Sequence, residues 1–71
     1  MVNSKGVYFL SFSENLVKLQ KERGVTNYRL SKEIGVHCTT VRNWRAGKRP
    51  LLEHAHAVAA YFGKTVDEMM R

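Results

Sequence analysis

Four basic side chains, Arg42, Arg45, Lys48 and Arg49, lie between residues 34 and 52, a stretch without any acid, in a 71-residue chain with twelve Lys and Arg against six Asp and Glu. The net charge of +6 calls for an anionic partner, and the clustering indicates which part of the chain would meet it. Charge alone is equally consistent with a solvated basic face. Other chemistries are poorly supplied. A single cysteine, Cys38, allows no internal disulfide, and the chain has no Cys/His set at zinc spacing. His54 and His56 are two residues apart and point to different sides of a helix, so they cannot chelate one ion from one face. With only three His and six acids, no Ser/His/Asp set or paired carboxylates stand out. Catalysis, a metal site and a cofactor are therefore not expected.

The elements that must position the basic stretch are legible from Thr26 to Gly47. Thr26 is a helix N-cap, and Leu30 and Ile34, four residues apart, form a buried helical stripe. Gly35 supplies a tight turn, because a residue without Cβ enters the left-handed region at little cost, and Val36 packs back inward. A second helix is predicted from about Cys38 to Ala46, burying Val41 and Trp44 and closed by Gly47. Ser31 is small where the two helices must approach. This is the layout of a helix-turn-helix.

The flanks read as further helices. Ser11-Phe12-Ser13-Glu14 matches a capping box, which starts helix one at Ser11 and leaves residues 1–10 as an arm ahead of a domain over residues 11–71. The apolar Tyr8 and Phe9 of that arm either cover the core or exchange between protomers as a strand. Helix one ends at Gly24. After Pro50 a fourth helix runs from about Leu52 to Phe62, with Ala55, Val58, Ala59 and Phe62 inward and Gly63 as its stop. Thr65-Val66-Asp67-Glu68 is a second capping box, opening a short fifth helix with Met69 inward. At 44% hydrophobic residues the composition is that of a folded chain, and a helical bundle is the economical way for so short a chain to bury a core. The run Val7-Tyr8-Phe9-Leu10 is too short for a membrane span or a signal peptide core. Together with the lone cysteine, this points to a soluble protein of a reducing cytoplasm, with no membrane association.

The chain resembles the Cro and lambda-repressor-like (XRE-type) helix-turn-helix family of prokaryotic and phage regulators over about residues 11 to 70. Beyond the central unit, the likeness rests on Phe12, Leu16 and Leu19 in helix one and on Glu22-Arg23-Gly24-Val25-Thr26 before helix two. Gly47-Lys48-Arg49-Pro50 follows helix three, and Ala59-Ala60-Tyr61-Phe62-Gly63-Lys64-Thr65-Val66-Asp67-Glu68-Met69 makes up the end. The resemblance implies an all-α fold, a compact five-helix lambda-repressor-like DNA-binding domain with the helix-turn-helix at helices two and three.

It also implies which residues meet DNA. The outward positions of the reading helix fall on Cys38, Thr39, Arg42 and Asn43, with Thr40 between the groove and the domain. Asn43 can bond adenine bidentately, Arg42 guanine or a phosphate, and Thr39 offers a hydroxyl and a methyl. Cys38 either touches a thymine methyl or is a plain exposed thiol. Phosphate contacts are expected from Thr26 and Asn27 at the start of helix two, from Lys48 and Arg49 after helix three, and from His37 and Arg45; Arg29 can add to them or stay solvated. Asn27 stands where relatives usually have Gln. His37 replaces the usual Ser or Thr cap, either capping through a neutral ring nitrogen or meeting phosphate when protonated. Relatives often pair a basic residue in helix one with a Glu near the end of helix three. Here those positions are Gln20 and Arg45, which leaves Arg45 to meet phosphate or to pair with Glu22 or another acid.

The function expected is sequence-specific binding of double-stranded DNA by a transcriptional regulator, a repressor, acting as a homodimer on a two-fold site with no evident small-molecule effector. One reading helix contacts too few bases for useful specificity alone. The alternative is a protein-interaction module on the same scaffold, antitoxin-like or an anti-regulator, for which the apolar arm and Met69-Met70 are the argument. Nonspecific single-strand or RNA binding ranks last, because no aromatic platform alternates with the basic residues.

Overall fold

The computed structural model describes residues 4–71, with side chains from residue 11 onward. Five helices follow in order: α1 (Ser4–Arg23), α2 (Asn27–Ile34), α3 (Cys38–Arg45), α4 (Leu52–Tyr61) and α5 (Val66–Met69), with no strand among the described residues. Several boundaries have a local cause in the chain. Thr26 is extended and its hydroxyl accepts from the Arg29 N–H at 3.1 Å, satisfying one of the free donors of the α2 start. Thr65 and Glu68 form the reciprocal capping box that opens α5. Helix α1 ends at Gly24, whose φ of 66° is in the left-handed region.

Helix α1 begins at Ser4 rather than Ser11, so the first capping box does not form. A capping residue must leave the helical region, whereas Ser11 sits inside a continuous ladder and is buried. Nothing before it breaks that ladder, since there is no proline and Gly6 costs only about 1 kcal/mol relative to Ala. The expected packing or exchange of Tyr8 and Phe9 falls on side chains outside the described residues.

The core is where the predicted inward faces meet. Phe12, Leu16 and Leu19 of α1, Leu30 of α2, Val41 and Trp44 of α3, Ala55, Val58, Ala59 and Phe62 around α4, and Met69 of α5 form one buried cluster. Ile34 and Val36, flanking the turn, pack against it part-buried. Each large apolar side chain so buried contributes about 1.5–3 kcal/mol. The Phe12 and Trp44 rings meet edge to face, centroids 6.3 Å apart, which fixes α3 across α1. Polar ties finish the assembly. Asn15 Nδ2 donates to the Met69 carbonyl at 2.8 Å, and Arg23 donates to the Phe62 carbonyl at 3.3 Å. Helix α3 thus rests on α1 and α2, with its other face open.

Candidate nucleic-acid interface

The turn between α2 and α3 is set by Gly35, at φ 86° and ψ 37°. Its N–H and that of Val36 both return to the Ser31 carbonyl, at 2.8 and 3.0 Å, which satisfies the end of α2. A Cβ here would meet nothing within 4 Å; the need for glycine is a backbone need, not a packing one. The buried Ser31 donates its hydroxyl to the Tyr28 carbonyl at 2.6 Å, so its polar atom is satisfied where the helices touch.

Because Val41 and Trp44 are buried, the 3.6-residue period turns the neighbouring positions of α3 outward. Thr39, Arg42 and Asn43 are all exposed. Thr40 is half-buried, between this face and the domain. Cys38 is half-buried too, with its Sγ 3.9 Å from the Ser31 hydroxyl, and so lies at the α2 edge of the exposed face. His37 is extended and exposed but makes no side-chain capping bond. The capping alternative for His37 is thereby corrected: α3 starts without a side-chain cap.

The basic groups flank this face. The loop after α3 is held by backbone bonds, Gly47 N–H to the Trp44 carbonyl at 3.0 Å and Lys48 N–H to the Asn43 carbonyl at 2.9 Å. Pro50 is buried behind it, while Lys48 and Arg49 face solvent. Asn43, Lys48 and Arg49 line one open groove, together with Thr40, Trp44, Leu51 and His54. Thr26, Asn27 and Arg45 line a second groove with Gln20 and Lys21. Arg45 does not pair with Glu22 or any other acid among the described residues; its Nη1 donates to Gln20 Oε1 at 2.8 Å. Its backbone carbonyl accepts from the Ser13 hydroxyl. Asn27 Oδ1 in turn accepts from Gln20 Nε2 at 3.0 Å. Asn27 is thereby tied to α1.

Three residues enter the picture that sequence reasoning did not assign. Gln20 links α1 to the start of α2 and the end of α3, a role invisible without the fold. Tyr28 is 64% exposed and its ring lies 5.4 Å from the Lys32 ammonium, beside His37 and Cys38. His54, one of the two histidines that cannot form a chelating pair, lies against Trp44 with ring centroids 5.6 Å apart.

A second helix held on a tight turn, polar and exposed on its outer face and ringed by cationic and amide donors, defines a helix-turn-helix DNA-binding domain. A model of the helix-turn-helix family matches residues 17–69, most of the chain, and the protein belongs to this Cro/lambda-repressor-like family of DNA-binding transcriptional regulators. Comparison with curated proteins and with solved structures found no match. Among the described residues no helix is long and apolar enough to cross a membrane, and no group of three or more His, Cys, Asp or Glu is placed to hold a metal ion.

Proposed function

We propose that this chain is a sequence-specific repressor that lays α3 in the major groove of double-stranded DNA and binds as a homodimer on a two-fold site. What carries the reading is the exposure of Thr39, Arg42 and Asn43 on the face of α3 opposite the buried Val41 and Trp44. An α-helix fits the major groove, and these side-chain types match base edges there. Asn43 bonds adenine through N6 and N7, Arg42 bonds guanine or an adjacent phosphate, and Thr39 offers its hydroxyl and methyl. Cys38, at the edge of the face, contributes apolar contact with a thymine methyl. Thr26, Asn27, His37, Arg45, Lys48 and Arg49 hold the phosphates on either side, fixing register without reading sequence. The protein acts by occupying its site, not by catalysis.

Selection from random duplexes, followed by titration at several salt concentrations, tests this. The expected result is an enriched palindrome with half-sites about one DNA turn apart. An enriched single half-site would overturn the homodimer, and no enrichment would overturn specific binding in favour of a protein-interaction module.

A further inference from the structure

Gln20 is 4% exposed and sits where α1, the start of α2 and the end of α3 meet. The chemistry of its neighbours dictates how its amide is turned. A guanidinium only donates, so Gln20 presents Oε1 to Arg45 at 2.8 Å; a backbone carbonyl only accepts, so Nε2 faces Val25 O at 3.1 Å. The second Nε2 proton goes to Asn27 Oδ1 at 3.0 Å. With its oxygen engaged, Asn27 must turn Nδ2 the other way. The remaining guanidinium N–H groups of Arg45 likewise have no carboxylate within reach among the described residues. Both side chains line the same open groove as Thr26 and Lys21.

A carboxylate at position 20 would also hold Arg45, but it would cancel its charge and give up the bonds donated to Val25 O and Asn27 Oδ1. A neutral amide holds it and leaves the charge for another anion. We propose that Gln20 is a positioning residue whose neutrality keeps Arg45 and Asn27 available as donors to the DNA backbone, so that the bond that fixes α3 to α1 also delivers a full positive charge to a phosphate. This rests on the DNA-binding reading above.

The test compares the parent, Gln20→Glu and Arg45→Gln on one selected duplex and one random duplex across a salt series. The parent should bind both duplexes with a steep dependence on salt. Each variant should bind both more weakly, and each slope of log K against log salt should be shallower by about one unit, because one phosphate is no longer neutralised. Should Gln20→Glu fail to fold, Gln20→Met, which removes the amide but adds no charge, should bind both duplexes more weakly than the parent, and binding equal to the parent's would overturn the proposal. A shifted melting temperature with a slope equal to the parent's would make Gln20 merely structural and overturn the proposal. A parent that binds no duplex would instead remove the DNA-binding reading beneath it.

Discussion

Asn43 is the side chain on which the base-reading hypothesis is most exposed to test. It lies one turn beyond Thr39 on the solvent face of α3, and its backbone carbonyl accepts the N–H of Lys48, which locks the loop to the helix beneath it. Truncating its side chain leaves that backbone bond in place. Asn43→Ala should therefore fold like the parent, cost about 1–3 kcal/mol on the best duplex and relax preference at one base position. Competition between matched and mismatched duplexes measures this, and equal weakening on random DNA would take Asn43 out of the reading set. Neighbouring residues divide according to how their polar atoms are already engaged. Cys38 faces Ser31 and Asn27 faces Gln20, whereas the side chains of Thr39 and Arg42 make no hydrogen bond among the described residues.

Helix α3 is short and has no side-chain cap at its start, so it depends on tertiary burial for its stability. Val41 is fully buried in the core cluster, and an unpaired carboxylate there costs several kcal/mol. Val41→Asp should abolish the cooperative melt followed by circular dichroism; a variant that melts like the parent would mean that the face of α3 is rotated and that the assigned contacts are wrong. Helix α5 behaves differently, because its first turn is closed by the Thr65 and Glu68 pair. The backbone N–H of Thr65, at 2.8 Å from Glu68 Oε1, is the main cause that holds this carboxyl below its ordinary value, aided by the Thr65 hydroxyl and the charge of Lys64. A folded-state value below the unfolded one gives stability that is present above the ordinary carboxylate range and is lost as pH falls through the folded value. Acidification should loosen α5. Glu68→Gln, which keeps the acceptor but not the titration, should show a weaker fall of melting temperature between neutral and acidic pH than the parent.

At the scale of the whole molecule, the +6 charge adds a long-range attraction to any duplex, and that attraction is what salt screens. Lys48 sits in the anchored loop, exposed and beyond the end of α3. Lys48→Ala should weaken selected and random duplexes by similar factors and make the salt slope shallower by about one unit. An unchanged slope would leave Lys48 as solvated surface, and a loss confined to the selected duplex would mean that the loop enters a groove.

Most of the frame was legible in the chain by itself, because its determinants are local. A glycine at Gly35 that must adopt a left-handed backbone, the caps at Thr26 and Thr65, and inward residues at helical spacing each act over a single turn of chain, so the break between α2 and α3 and the outward side of α3 follow from them. The first helix shows the limit of local signals. Ser11 and Glu14 have the right types for a cap, but a cap forms only where the backbone leaves the helix, and an uninterrupted ladder from Ser4 overrides it. The contacts of Arg45 were also beyond reach of the sequence. Gln20, Val25, Asn27 and Arg45 come from three helices and the connection between α1 and α2, up to 25 residues apart, and no local rule says whether a guanidinium will meet an acid, an amide or solvent. Tertiary packing decided that, by bringing a buried amide to the end of α3 where only an acceptor can satisfy Arg45 and only a donor can satisfy the Val25 carbonyl.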